Sequence, residues 1–298
     1  MATWRATRSA RGAAEAAGRP AQEARASAAT GRGWYAWLAR GGLVAKGISF
    51  GIVAVLAIGV AAGRGGATTS RQGALHTLAM HTWGEVLLIM LAVGFACYAV
   101  WRLAQALAER AQVGDESALK DWGKRAGYVA RAAIYVALTY SAAKLLVGSG
   151  SQESQNEKAH KTTATVLTWP GGRWIVGFVG LCLIGAGLWN VYRGVTKKFE
   201  EKWRTGEMNG LERRWGARVG VAGHLARAVV FVLIGIFVTK AAIEFKPRNA
   251  IGLDGALQKL AGASYGPYLL GLTAAGLLCY GLYCLVDARY RDVSTTAS

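Results

Sequence analysis

Six apolar stretches, separated by polar and charged segments, dominate the pattern along this chain of 298 residues. They lie near residues 43–62, 86–103, 126–147, 174–192, 219–243 and 268–286. At 1.5 Å of rise per residue, a helix of about 20 residues crosses the roughly 30 Å of hydrocarbon in a bilayer. The stretches mix helix-forming residues with Gly and Ala, without the alternation of a barrel strand, which argues against a β-barrel. The pattern therefore predicts an all-α, polytopic membrane protein with six transmembrane helices.

One sequence pattern occurs three times along the chain, and each copy contains two apolar stretches. The first stretch of each copy opens with a glycine and, four residues later, a basic residue: Gly42 and Lys46, Gly127 and Arg131, Gly223 and Arg227. In the second stretch, an aromatic residue lies seventeen residues after an opening glycine, at Trp101, Trp189 and Tyr283. A shared register over both helices indicates internal repeats. Because each copy has two spans, all copies cross in the same sense, and a pseudo-threefold axis along the membrane normal can relate them as helical hairpins.

We expect the three repeats to cover residues 37–107, 122–199 and 215–290. Residues 1–36 read as a basic, disordered cytoplasmic tail, because they lack the apolar run of a secretory signal. Residues 291–298 form a short C-terminal tail. The mixed charges after Arg193, including Lys197 and Glu200, are suited to a helical extension of the fourth span.

The distribution of charge predicts the orientation. Lys and Arg number 35 against 17 Asp and Glu, and 25 of the 35 lie on the two tails, on the second and fourth loops, or at the three helix openings. The positive-inside rule then places both termini in the cytoplasm. A net charge of +18 would suggest nucleic acid for a soluble protein, but no binding motif accompanies these residues. We expect anionic membrane lipids as partners and no nucleic acid; protein partners and oligomeric state stay open.

The three glycine and basic pairs are the candidate site. A spacing of four puts both residues on one helix face, one turn apart, and the glycine leaves space beside the charge. Three copies, each about one turn inside the membrane, would form a basic ring that binds anionic lipid headgroups or a phosphorylated small molecule through charge-assisted hydrogen bonds. Alternatively, each basic side chain separately anchors its helix by snorkelling to the interface.

The sequence shows no pattern of residues typical of a metal site, an ion-coupled transporter or an enzyme. The four cysteines share no metal-ligand spacing, and the four histidines form no ligand pair on a helix face. No carboxylate lies at the centre of a span, which argues against proton- or sodium-coupled transport. Aromatic pairs near the helix ends, including Tyr98 with Trp101 and Tyr280 with Tyr283, are typical of interfacial belts. We therefore predict no catalytic, cofactor-binding or metal-binding residues.

The three helix openings, the Gly-Ala-Leu segments at Gly73 and Gly255, and the Trp101-Arg102 pair resemble the bacterial integral membrane family known as domain of unknown function 1206. The resemblance covers about residues 37–290 and implies three tandem two-helix repeats in a bacterial plasma membrane, without implying an activity. The middle copy departs by lacking Gly-Ala-Leu before Gly172.

The leading hypothesis is a non-enzymatic structural or accessory membrane component that binds anionic lipid at its cytoplasmic face. The alternative is a channel or uniporter for a small solute or ion along the pseudo-threefold axis. A lipid-modifying enzyme is disfavoured, since neither a nucleophile nor an acid/base pair is visible.

Overall fold

The computed structural model describes residue 34 and residues 36–63, 84–108, 118–147 and 155–292. The predicted N-terminal tail, apart from its last few residues, and the last six residues lie outside this part of the chain. Within it the chain forms eight α-helices and no β-strand: α1 (Ala36–Ala61), α2 (Gly84–Ala108), α3 (Ala118–Leu146), α4 (Gln155–Leu167), α5 (Gly172–Val195), α6 (Gly210–Glu244), α7 (Leu253–Ala261) and α8 (Gly266–Tyr290).

Six of these helices, namely α1, α2, α3, α5, α6 and α8, are long and apolar enough to cross a membrane. This confirms the predicted fold class. Helix α6 begins nine residues before its apolar stretch, because Asn209 and Glu212 form a capping box that satisfies its first backbone N–H groups. We call the end of the bundle where α1 begins and α8 finishes the basic end, and the opposite end the far end. The short helices α4 and α7 lie in connections at the far end.

The first helix of each repeat packs antiparallel against the second helix of the preceding repeat. Helix α3 packs against α2, where the Tyr135 ring lies 4.2 Å from the Tyr98 ring. Helix α6 packs against α5 at Gly180, where an added Cβ would lie 2.7 Å from a backbone atom of α6. Helix α1 packs against α8 where Gly47 meets Gly281. These three contacts are the ones that a pseudo-threefold axis requires.

Contacts within the repeats are less regular. The methyl group of Ala45 on α1 lies against Gly94 on α2, and that of Ala226 on α6 lies against Gly276 on α8. In the part of the chain that the structure describes, α3 and α5 of the middle repeat do not pack against each other. Accordingly, only 22% of the apolar window of α3 and of α5 is buried, against 44% for α1, α2 and α8. The helices thus form a circuit with five closed junctions and one open junction, between α3 and α5.

The largest apolar core joins α1, α6 and α8. Phe50 and Val53 of α1, Val230 of α6, and Ala274 and Leu277 of α8 are buried in it. A second core joins α1, α2 and α3. Since lipid supplies no hydrophobic force between helices, small residues that permit close backbone approach and interlocked side chains hold the bundle together.

The connection from Thr196 to Asn209, here called the strap, corrects one expectation. It is not a helical extension of α5, which ends at Val195 and is followed by Lys197 at a left-handed φ of 53°. The reason is that the strap buries two aromatic side chains: Phe199 stacks on His224 at 5.1 Å, and Trp203 Nε1 donates to Asp287 Oδ1 at 3.1 Å. The strap therefore lies across the basic end of α6 and α8.

Candidate functional site

Lys46 and Arg227, two of the three predicted basic residues, meet at one tyrosine. The Lys46 ammonium group lies 5.1 Å from the centre of the Tyr280 ring and 5.6 Å from that of Tyr98. Arg227 Nη1 donates to the Tyr280 hydroxyl, and its guanidinium group lies 4.5 Å from the same ring. The structure thus brings cations of the first and third repeats together, with ring faces that attract positive charge.

Arg131, the third basic residue, belongs to the same electrostatic field but is placed differently. Arg131 lies near enough to Arg102 and Arg227 for their charges to act on it. Its side chain is exposed, whereas Lys46 and Arg227 are half-buried. Within the described residues, Arg131 has no hydrogen bond or ion pair. It is therefore the cation that a ligand can reach most directly.

The three glycines of the motif differ in what faces them. A Cβ added at Gly42 would lie 2.6 Å from Tyr98 Cα, and one added at Gly223 would lie 2.5 Å from Tyr280 Cα. The space predicted beside the charge is therefore filled in the first and third repeats, because the backbone of the second helix approaches there. At Gly127 the nearest atom is Arg131 Nη1, at 3.9 Å. Only the middle repeat keeps open space beside its basic residue.

Tyr98 and Tyr280 were missed as site residues, and their assignment to an interfacial belt is wrong. Their exposed fractions are 1% and 2%, and those of the neighbouring Trp101 and Tyr283 are 0% and 4%. The register of the repeats could have drawn attention to them, since each tyrosine lies fourteen residues after the glycine that opens its helix. The corresponding residue of the middle repeat is Ala186.

Aromatic rings and apolar helix segments surround the two cations. Fourteen residues of helix place Tyr98 and Tyr280 about 21 Å from the start of α2 and α8 at the far end. Lys46 and Arg227 lie beside these tyrosines, and Arg227 also lies 5.0 Å from the Phe231 ring. We call the helix segments that are apolar enough to cross a membrane the apolar zone, and both cations belong to it.

Carboxylates do not balance these cations. In the described part of the chain, no ion pair includes Lys46, Arg131 or Arg227. A buried charge without an opposite partner is unfavourable by several kcal/mol, as an order of magnitude, unless other groups compensate. Tyrosine ring faces and one hydroxyl compensate only in part. Among the described residues, the positive charge of Lys46 and Arg227 is thus only partly compensated.

More positive charge lies between this site and the basic end. Arg102, 8% exposed, donates to the Tyr98 hydroxyl and to Gln105 Oε1, each at 2.6 Å. Arg102 and Arg291 both lie against the Trp101 ring, at 4.4 and 5.0 Å. Arg291 also pairs with the buried carboxylate of Asp287, at 2.6 Å.

These positive charges affect the pKa of Lys202 on the strap. Burial lowers the pKa of its ammonium group to about 8, and the neighbouring positive charges of Arg291, Arg193 and Arg102 contribute to the same shift, whereas Asp287 opposes it. Arg102, Arg193, Lys202 and Arg291 thus lie close enough together at this end of the bundle, beside Asp287, to affect one another's charge.

Other titratable groups serve packing. His224, 1% exposed, stacks on Phe199, and its Nδ1 lies 2.8 Å from the carbonyl oxygen of Gly220. Among the residues that the structure describes, no group of three His, Cys, Asp or Glu side chains could hold a metal ion. The four cysteines are not joined by disulfides.

Comparisons with known proteins agree with the three-repeat architecture. The family described as Domain of Unknown Function (DUF1206) matches three times, at residues 41–109, 126–197 and 222–291. The chain is 31% identical over 261 residues to an uncharacterized protein, YxxB, of Bacillus subtilis (strain 168), covering 88% of this chain and 93% of that protein. No solved structure matches the chain. The chain belongs to the DUF1206 family, whose description assigns no activity.

Proposed function

We propose that this member of the family is a non-enzymatic component of the bacterial plasma membrane that binds an anionic lipid through Lys46, Arg131 and Arg227. The observation that carries the proposal is the meeting of Lys46 and Arg227 at Tyr280, inside the apolar zone, with no carboxylate partner among the described residues. A lipid phosphate would supply the missing negative charge. It would also accept charge-assisted hydrogen bonds, which are shorter and stronger than neutral ones.

The geometry supports shared binding better than three separate anchors. A snorkelling side chain extends along its helix toward water. Lys46 instead lies between tyrosines of two different helices, and Arg227 is bonded to one of them. Both side chains contact Tyr280, so the two cations lie close enough to bind one common anion.

Binding is also better supported than conduction. An ion or solute path along the pseudo-threefold axis requires polar groups or water-filled space. The core that joins α1, α6 and α8 is apolar, with Val53 and Ala274 at 0% exposure and Leu277 also at 0%. Lipid, unlike a soluble ion, can reach a site in the apolar zone from the side.

The proposed orientation places the basic end in the cytoplasm, with both termini on that side. Arg102, Arg193, Lys202 and Arg291 lie at this end, and positively charged loops are retained on the cytoplasmic side. The site would then face the inner leaflet, whose anionic lipids attract basic residues by about 1 kcal/mol each near the surface.

Native mass spectrometry of protein released from lipid nanodiscs that contain phosphatidylglycerol tests the proposal. The variant Lys46→Gln, Arg131→Gln, Arg227→Gln should lose bound lipid, since each charge-assisted bond contributes about 1.5–3 kcal/mol and one such loss already lowers affinity roughly tenfold or more. A control with the same charge change, Lys240→Gln, Lys246→Gln, Lys259→Gln, should retain it. Equal retention by the wild type and both variants would refute the proposal.

A further inference from the structure

The open junction between α3 and α5, here called the α3–α5 gap, coincides with two residue differences in the middle repeat. The first and third repeats have a glycine ten residues after the glycine that opens the second helix, namely Gly94 and Gly276. An alanine methyl group of the other helix of the hairpin packs against each of these glycines. The corresponding residue of α5 is Cys182, which is exposed. A side chain stands there in place of the glycine hydrogen that permits the close approach in the other two repeats.

The second difference concerns the tyrosine that covers the basic residue. Tyr98 and Tyr280 press against Gly42 and Gly223, whereas α5 carries Ala186 at the corresponding position. A methyl group cannot fill the volume of a phenol ring. Gly127 therefore faces open space, with only the Arg131 guanidinium nearby at 3.9 Å. We call this space the Gly127 niche.

Both inner faces of the gap are uncovered, in contrast to their counterparts. Trp189 of α5 is 55% exposed, whereas the corresponding Trp101 is fully buried. Ile134 of α3 is 54% exposed, whereas the corresponding Val230 is 4% exposed. The gap thus presents an apolar wall on each side and one cation, Arg131, in its interior.

These features favour a lipid over other occupants. The apolar walls suit acyl chains, and Arg131, with the charges of Arg102 and Arg227 acting nearby, suits a phosphate. The chain's own first 33 residues contain six arginines against two glutamates, so charge repulsion disfavours them at this position. A neutral transmembrane helix of another protein would leave Arg131 without a counter-charge.

We infer that the α3–α5 gap is a lateral opening through which one anionic phospholipid enters from the bilayer, with its phosphate in the Gly127 niche beside Arg131. The inference rests on the proposed function and adds the route and the position of the headgroup. The residues that determine access are Cys182 and Ala186, which contribute no charge. Lys46 and Arg227, which are covered by tyrosines, attract the phosphate from the interior.

Refilling the gap tests the inference while leaving every charge in place. The variant Cys182→Gly, Ala186→Tyr gives the middle repeat the residues of the other two. We expect the amount of phosphatidylglycerol retained from nanodiscs to fall at least about tenfold, as it does when one charge-assisted bond is lost. The matched control is Leu188→Tyr, which adds a tyrosine at a 60% exposed position on another face of α5 and should leave retention unchanged.

The outcomes separate this inference from the proposed function. If the wild type retains lipid, the triple Gln variant loses it and the refilled variant retains it, the lateral opening is wrong while lipid binding stands. If the wild type retains no anionic lipid, the proposed function itself fails. Retention of a soluble phosphate compound, in place of lipid, would overturn the choice of occupant.

A measurement on the wild type avoids dependence on the folding of the refilled variant. Phosphatidylglycerol with a photoreactive diazirine near the headgroup should label peptides that contain residues 127–134 and 182–189 more strongly than those of α1 or α8. Equal labelling of all six spans would overturn the inference. So would evidence that the chain's own N-terminal residues compete with the lipid for the gap.

Discussion

Alanine substitution at the motif glycine of each repeat should have opposite effects in different repeats. Gly42→Ala and Gly223→Ala place a Cβ 2.6 and 2.5 Å from the Cα atoms of Tyr98 and Tyr280, closer than carbon atoms that are not bonded to each other can lie. These contacts involve backbone, so no side-chain rotation relieves them. Gly127→Ala meets only the flexible end of Arg131, at an ordinary distance of 3.9 Å.

The magnitudes follow from two opposing effects. Overpacking of a tight contact typically costs about 1–3 kcal/mol. Replacing Gly by Ala inside a helix gains about 0.5–1 kcal/mol. Gly42→Ala and Gly223→Ala should therefore lower the free energy of unfolding by about 1–2 kcal/mol, whereas Gly127→Ala should raise it by about 0.5–1 kcal/mol.

Thermal unfolding in detergent micelles, followed by the fluorescence of the eleven tryptophans, measures the effect. At about 2–4 °C per kcal/mol, the two groups of variants should differ by several degrees in unfolding temperature. Gly185→Ala on α5, where a Cβ meets nothing within 4 Å, is the control and should behave like Gly127→Ala. Destabilisation by Gly127→Ala equal to that by Gly42→Ala would show that a helix packs against Gly127, which would refute the open junction.

Three further predictions address the basic end and the gap. An amine-reactive reagent should modify Lys202, whose pKa is about 8, faster than Lys198, whose pKa is raised by a hydrogen bond with a tyrosine. The reaction rate of Lys202 should rise between pH 7 and 9. Equal rates for the two lysines, measured by peptide mass spectrometry, would contradict the cluster of positive charge around Lys202. A membrane-permeant maleimide should label Cys182 before Cys284, which is fully buried, and added phosphatidylglycerol should slow the reaction of Cys182 alone. Asp287→Asn should lower the free energy of unfolding by about 3–5 kcal/mol, because it leaves a buried guanidinium without its partner; a loss below about 1 kcal/mol in chemical unfolding would place that pair in water.

Much of the fold could be predicted from the sequence because the membrane simplifies the problem. A span must satisfy its backbone hydrogen bonds internally, so an apolar stretch of about 20 residues forms a helix. The spacing from Gly42 to Lys46, repeated twice, was sufficient to identify three units. The antiparallel order of neighbouring helices then follows from two spans per unit.

The positions of the aromatic residues could not be predicted in the same way. Tyr280 and Trp189 lie near the basic end of their helices whether they face lipid or protein, and both environments favour aromatic rings. Whether such a ring is buried or exposed depends on the neighbouring helix. In the structure, Gly223 packs against Tyr280, whereas Trp189 is exposed. The burial of Lys46 between Tyr98 and Tyr280 could not be predicted either, since it depends on which residues of the neighbouring helices lie beside it.

The differences between the repeats also account for a single proposed lipid site in a scaffold of three repeats. In a fully symmetric circuit, a tyrosine would cover each basic residue and a glycine would close each hairpin, so no cation would be reachable from the bilayer. The middle repeat keeps Gly127 and Arg131 on its first helix but has Cys182 and Ala186 on its second. The charge is thus retained while its cover is absent, and this occurs at one junction of six. It follows that one chain should bind one lipid at this site.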